Sequence, residues 1–399
     1  MSYEVYIHVP FCLRRCGYCD FNTYTARDLG GGASRSGYAE AAVEEMRLLR
    51  RWQREQGIDE PAVSTVFFGG GTPTVLPVKD LVTILDAVRD LWGIEEGAEV
   101  TTEANPDTVD ADAIRALADG GFTRISFGMQ SAVPHVLRTL DRTHTPANVA
   151  DGVAAARAAG LRASVDLIYG APGESLDDWR TSVETALGLG IDHLSAYALT
   201  VEPHTKMGRL IAAGRLPRPD DDDEAAKYEI VDDMCRAAGL EWYEISNWAV
   251  PGHESRHNLG YWRNVDWAGV GPGAHSHYTL PAVSGTGGAR SLRAWDVLHP
   301  RAWAQRITQG DVPWGGHEVV SAHEDLEERV MLGVRLREGL DIDEIERLTA
   351  RDLGAVVREL EHEGLATRVH AAGGTRLVAT RRGRLLNDAV IERIFDELP

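Results

Sequence analysis

Cys12, Cys16 and Cys19 stand in a C-x3-C-x2-C spacing within Tyr6-Ile-His-Val-Pro-Phe-Cys-Leu-Arg-Arg-Cys-Gly-Tyr-Cys-Asp-Phe21. Three thiolates on one short loop can hold three irons of a 4Fe–4S cluster and leave the fourth without a protein ligand. Such clusters usually take four Cys ligands, so a three-Cys loop implies that something else completes the coordination. The competing chemistry is structural zinc, which normally wants four Cys or His ligands, often in two separated pairs. The remaining cysteine, Cys235, falls in the apolar helical stretch Ile230–Ala238 and reads as a buried thiol. His8 is the nearby group that could act as a fourth zinc ligand. A disulfide is disfavoured, because two bridges among four cysteines would break the triplet. The cluster is the expectation.

Alternating strand and helix patterns must carry this loop. Strand-like runs occupy Tyr3–Val9, Ser64–Phe68, Glu99–Glu103, Arg124–Gly128, Ala163–Ile168 and His193–Leu199. Between them Tyr38–Gln56, Val78–Leu91, Asp110–Ala118, Ala147–Ala159 and Ser175–Leu189 show apolar residues at helical spacing. Asp110 and Ser175 are good helix starts, and Gly120, Gly160 and Gly190 good ends. Six βα units in order predict a parallel sheet with right-handed crossovers. Six units rather than eight predict an α/β fold built on a partial (β/α)6 barrel, open on one side. The cysteine loop, Gly69-Gly-Gly-Thr-Pro-Thr74, Glu103-Ala-Asn-Pro, Gln130 and Asp166 then fall at or near strand C-termini, the working face of α/β barrels.

Single residues on that rim carry two readings each. The glycine run allows close backbone approach to a ligand, although glycine turns are common. Glu103 suits a ribose hydroxyl or an ammonium, or else an ion pair with a neighbouring helix; Gln130, Arg142 and Asp166 are ambiguous in the same way. Arg142 could hold a carboxylate by a two-pronged contact. Asp166, a charge inside an apolar strand, needs a partner.

The acidic run Pro217–Asp223 reads as a solvated connector opening a helix Asp223–Ala238. Residues from about 240 to 310 are rich in Gly, Trp and His, with Pro281–Arg290 a Gly/Ser loop. Leu326–Leu336, Ile342–Leu348 and Leu353–Glu363 read as helices, Thr367–His370 and Thr375–Ala379 as a hairpin, and Asn387–Glu397 as a last helix. That order is similar to a small winged-helix module, a smaller C-terminal α+β domain. The expected division is a barrel at 1–215, an extension at 216–315 and the winged-helix-like domain at 316–399.

The 399 residues carry a formal net charge of −20. This argues against a general nucleic-acid binder, which would show a basic footprint. No apolar run reaches the roughly 18 residues that span a bilayer. The chain starts almost directly on a strand, so no targeting peptide is expected, and the cytoplasm is the default location.

The cysteine motif resembles that of the radical S-adenosylmethionine (SAM) superfamily, in which the amino and carboxylate groups of SAM fill the open iron site. Tyr6-Ile-His-Val-Pro-Phe-Cys, Phe68-Gly-Gly-Gly-Thr-Pro-Thr, Ile125-Ser-Phe-Gly-Met-Gln-Ser and Asp166-Leu-Ile-Tyr-Gly-Ala-Pro-Gly are similar to motifs of the oxygen-independent coproporphyrinogen III oxidase group. The resemblance covers essentially the whole chain. It implies SAM contacts at Tyr6, Tyr18, Gly70, Gly71, Thr72, Glu103, Gln130, Arg142 and Asp166. The true oxidase carries a fourth cysteine, C-x3-C-x2-C-x-C, and an N-terminal extension. Here the position holds Phe21, and eleven residues precede Cys12. Both departures match the HemW-type haem-chaperone branch. So does His257-Asn-Leu-Gly-Tyr261-Trp262, which resembles the H-N-x-x-Y-W signature associated there with haem. The resemblance thus implies haem as cargo, with His257 as axial ligand on a loop and Tyr261 and Trp262 packing on the macrocycle. His253, His275 and His277 compete as ligand, and Trp248 and Trp267 would extend the apolar wall. The run Gly269–Ser276 is expected to close over the cofactor face. Haem-requiring respiratory proteins, met at the inner face of the membrane, are the implied recipients. The alternative functions are oxidative decarboxylation of coproporphyrinogen III and radical-SAM chemistry on another small molecule.

Overall fold

The computed structural model describes residues 2–281, 290–371 and 373–399. Six parallel strands lie side by side in chain order: β1 (Tyr3–Val9), β2 (Val63–Gly70), β3 (Ile94–Ala104), β4 (Arg124–Gln130), β5 (Arg162–Tyr169) and β6 (His193–Ala198). The helices Tyr38–Glu55, Val78–Trp92, Ala111–Asp119, Pro146–Ala158 and Leu176–Gly188 connect them. Ser175 and Asp110 cap their helices through side-chain oxygens, as their residue types require. The expected partial α/β barrel is therefore present.

The sheet runs on past both ends of the six strands. After β6 the chain forms β7 (Glu241–Glu244) and β8 (Asn247–Ala249), and β8 adds antiparallel to β6. It then crosses to the opposite edge, where β9 (Asp266–Val270) pairs parallel with β1. β10 (His275–Leu280), β11 (Arg290–Asp296) and β12 (Trp314–Val320) continue antiparallel from β9. Among the described residues, twelve strands form this one sheet, which stays open between β12 and β7. The short helix Arg256–Trp262 makes the crossing and lies over the barrel floor. Residues 282–289 of the expected Gly/Ser loop lie outside the described residues.

Every barrel strand alternates. Outward side chains such as Val5, Ile7, Val66, Phe68, Ile125, Phe127, Val165 and Leu194 bury against the helices and form the main core. Inward positions are polar: Glu4, Tyr6, His8; Thr65; Glu99, Thr101, Glu103; Arg124, Ser126; Ser164, Asp166; His193, Ser195. A period of two places one class on each face of a sheet.

The C-terminal region has its own core, built from Leu326, Val330, Ile345, Val357, Leu360, Leu377, Val390 and Ile394. Helices Ala322–Gly333, Ile342–Thr349 and Gly354–His362 pack against β13 (Leu340–Asp341), β14 (Ala366–Ala371) and β15 (Gly374–Ala379), in sheet order β13-β15-β14. This is the expected winged-helix-like arrangement. The acidic run leads into a helix as expected: Asp220 caps a helix that starts at Asp221, two residues before the expected Asp223, and ends at Ala237, and Cys235 is fully buried in it.

A buried charge cluster ties the two cores together. Asp232 accepts from Arg384 at 3.0 Å, from Arg381 at 2.8 Å and from Trp248 at 3.0 Å. Burial alone would raise the Asp232 carboxyl, but the hydrogen bonds from Arg384 and Trp248 hold it down at about 2. A depressed carboxyl contributes stability that is present above its unfolded value near 4 and is lost as pH falls towards 2. Asp232→Ala leaves Arg384 buried without its partner and should lower stability by about 3 kcal/mol, read by chemical denaturation at pH 7. The same comparison at pH 3 should show a smaller difference between variant and wild type.

Candidate cluster and cofactor site

The cysteine loop is held to the barrel rim by backbone pairing. Gly71 N–H donates to Val9 O and Thr72 N–H to Phe11 O, both at 2.8 Å, while Cys12 N–H donates to Tyr24 O at 3.0 Å. At Gly71 a Cβ would stand 2.7 Å from Phe11 O and 2.8 Å from Val9 O, so no other residue fits. Gly70 has φ +101° against the His8 ring, a region glycine enters freely. The glycine run thus owes its composition first to the chain's own close approach.

A cavity of about 460 Å³ opens below this loop, and Cys12, Cys16 and Cys19 all line it. Thr72 Oγ1 lies 3.5 Å from Cys12 Sγ, and Arg142 Nη1 donates to Cys16 Sγ at 3.3 Å. Burial raises the Cys12 and Cys19 thiols, so thiolate at neutral pH needs a cation or metal nearby. Arg142 is one such cation. Among the described residues no three His, Cys, Asp or Glu groups converge as a single ion would need. A cubane spaces its irons apart and asks for separated thiolates.

Gly70, Gly71, Thr72, Glu103, Gln130, Arg142, Asp166, Tyr6 and Tyr18 all line the same cavity. Glu103 accepts from Gly70 N–H at 3.2 Å; burial first, and the nearby Asp166 second, push its carboxyl up to about 8. Asp166 also sits raised by burial, although Ser126 donates to it at 2.8 Å. Ser164 supports Ser126 at 2.8 Å. Gln130 adopts φ +63° at the irregular end of β4, a left-handed conformation costing about 1–2 kcal/mol in a non-glycine residue. Arg142 differs from the expected free clamp: its terminal nitrogens already bond Gly128 O at 2.7 Å, Asn105 Oδ1 and Cys16.

The His257–Trp262 motif is divided by its helix. His257, Asn258 and Tyr261 face the cavity floor, whereas Trp262 points to the other side and stacks with the Arg335 guanidinium at 5.8 Å. His257 sits on a helix rather than a loop and is 2% exposed. Thr65 Oγ1 stands 2.7 Å from its Nδ1 and the Tyr261 hydroxyl 3.1 Å from its Nε2, so both ring nitrogens are engaged. Burial lowers its pKa to about 3. Glu99 fastens the helix by accepting from His257 N–H at 3.2 Å, and Arg124 donates to His253 O at 3.3 Å. Trp248 belongs to the core against Tyr228 and does not line the cavity. The glycine run also differs: Gly269 and Val270 are in β9, and Gly271 donates to Glu45 beneath the cysteine loop instead of covering the cavity. The polar inner layer of Arg124, Ser126, Ser164, His193 and Ser195 is a further part of the cavity, which polar residues at every second strand position signal.

The radical SAM superfamily pattern matches residues 6–186, and the HemN C-terminal domain pattern matches residues 320–386. The heme chaperone HemW of Mycobacterium tuberculosis is 45% identical over 394 residues, covering 98% of this chain and 95% of that one. The chain belongs to the HemW family. The HemW of Bacillus subtilis is 34% identical over 403 residues, 99% of this chain and 100% of its own length. Among solved structures, coproporphyrinogen III oxidase (HemN) from Escherichia coli matches with a TM-score of 0.79 at 20% identity, covering 98% of this chain and 89% of that one. That likeness establishes a shared fold. Membership in the radical SAM superfamily implies a 4Fe–4S cluster and SAM.

The raised Glu103 carboxyl titrates within the working range of the protein. It holds a proton at neutral pH and becomes a full acceptor as pH rises through about 8. Where a SAM hydroxyl donates to Glu103, as the family resemblance implies, affinity for SAM, measured calorimetrically, should rise by up to about tenfold between pH 7 and 9. Glu103→Gln should flatten that dependence.

Proposed function

We propose that this HemW-family chain is a haem chaperone: it binds haem and passes it to haem-requiring proteins of the respiratory chain. The observation that carries this reading is the 45% identity, across nearly the full length of both chains, to a protein named as a heme chaperone. The cysteine loop agrees with it, since Phe21 stands where the oxidase pattern has its fourth cysteine. Cys12, Cys16 and Cys19 would hold the cluster. SAM would lie against Gly70, Gly71 and Thr72, with Glu103 at a hydroxyl or ammonium, Gln130 and Asp166 on the inner wall, and Tyr6 and Tyr18 excluding water. Arg142 would balance the thiolate at Cys16. When bound, the cluster and SAM can supply one-electron chemistry.

One surface feature supports docking with recipient proteins. Leu13 and Phe21 are 59% and 58% exposed beside Arg14 and Arg15 on the cysteine loop, and exposed Leu298 is tied to the same loop through Asn22. This apolar and cationic rim stands out on a chain of net charge −20. Among the described residues no helix is long and apolar enough to cross a membrane.

Anaerobically reconstituted protein should take up haem saturably at one per chain, and should give no protoporphyrinogen from coproporphyrinogen III, SAM and reductant. Sustained porphyrinogen turnover without saturable haem uptake would replace the chaperone with the oxidase.

A further inference from the structure

The three thiols of the cysteine loop have unlike neighbours. Cys12 Sγ has the neutral Thr72 hydroxyl at 3.5 Å, whereas Cys16 Sγ accepts from the Arg142 guanidinium at 3.3 Å. Arg15 acts on Cys19 only from the surface, where its nitrogens donate to Cys19 O at 3.4 Å and Phe21 O at 3.3 Å.

The Arg142–Cys16 contact is held by the backbone on both sides. Asp141 turns the chain in a left-handed conformation, φ +57°, just before Arg142. Leu140 O accepts from Gly17 N–H at 3.4 Å, and Gly17 O accepts from Met207 N–H at 2.8 Å. Gly17 packs so closely on this turn that a Cβ would stand 2.7 Å from the Asp141 carboxylate. Residues 16–17 and 140–142 are thus fastened together, and the guanidinium meets the thiol in a fixed place.

The other partners of the guanidinium are neutral. Its second terminal nitrogen donates to Gly128 O at 2.7 Å and to Asn105 Oδ1. Among the described residues no carboxylate pairs with it. Asp107 acts on it at longer range and is bonded to the Thr143 hydroxyl at 2.6 Å. A cation in a part-buried site of low dielectric acts most strongly on the anion within reach, which here is the Cys16 thiolate.

Net charge, hydrogen bonds to sulfur and exposure set the potential of an iron–sulfur cluster, and groups behind the ligands tune a metal centre generally. A cluster on three thiolates becomes more negative when reduced. A cation donating to one of those sulfurs therefore favours the reduced form. We propose that Arg142 is the tuning residue of the cluster: through the Cys16 thiolate it raises the reduction potential. This rests on the cluster that superfamily membership implies and is separate from any contact of Arg142 with SAM.

A redox titration of the anaerobically reconstituted full chain without SAM, followed by electron paramagnetic resonance, tests this. Arg142→Gln removes the charge and should shift the one-electron equilibrium about tenfold towards the oxidised form, a fall of about 59 mV. Arg142→Lys keeps a charge without the planar fork and should recover part of that shift. Asn105→Asp leaves Arg142 in place and pairs its guanidinium with a carboxylate, so it should also lower the potential. It decides the matter should Arg142→Gln hold no iron. A wild-type potential in Arg142→Gln or in Asn105→Asp overturns the tuning role. If calorimetry then finds SAM affinity at least tenfold weaker in Arg142→Gln, the guanidinium serves the SAM carboxylate instead. A wild-type chain that holds no cluster overturns the cluster reading together with the proposal.

Discussion

The two backbone hydrogen bonds from Gly71 to Val9 and from Thr72 to Phe11 are the constraint on which the site depends. Each is worth on the order of 1 kcal/mol, but their geometric effect is larger. They dock the cysteine loop on the glycine edge of β2, so that thiols from one segment and carboxylates from β3 and β5 face one cavity. The contact is possible because residue 71 has no Cβ. Arg142, reaching from beyond β4, then links the loop to the opposite wall through Cys16 and Gly128.

A barrel with a polar interior must satisfy what it buries. Glu4, Glu99, Glu103 and Asp166 all face inward, and burial pushes the Glu4 and Glu103 carboxyls up to about 9 and about 8. Both are therefore protonated at neutral pH, which reduces the cost of holding several acids in one space. Glu99 is used differently, as the acceptor that fixes the helix Arg256–Trp262 across the floor. Gly260 of that helix lies directly against the Glu4 carboxyl, where a side chain would clash. The aromatic series His257, Tyr261, Trp267 and His277 then runs from the cavity floor to β10, with neighbouring centroids 4.8, 4.9 and 5.2 Å apart.

Much of this was legible in the sequence where local chemistry decides structure. β1 matches its expected span of Tyr3–Val9, and the Ser175 cap and the helix after it follow from residue type alone. The residues singled out along the barrel rim do share one cavity. What local pattern could not give was pairing across the chain. Nothing in Asp266–Val270 announces that it joins β1 in parallel, with Tyr3 beside Asp266 and Ile7 beside Val270. The motif at 257–262 reads as a unit in sequence, yet one turn of helix sends His257 to the cavity floor and Trp262 to the far side against Arg335. The alternation of polar residues in β3 to β6 was visible, but only closure of the sheet shows that the polar face is the inner one.

The proposed function requires a cluster held by three thiolates with one iron left open to SAM. The most direct measurement is the iron and sulfide content of anaerobically purified wild type and Cys16→Ala, with electron paramagnetic resonance of the reduced protein before and after SAM is added. About four irons per wild-type chain, a spectrum that changes on adding SAM, and loss of both in the variant are the predicted result. Zinc in place of iron, or a reduced spectrum indifferent to SAM, would contradict it.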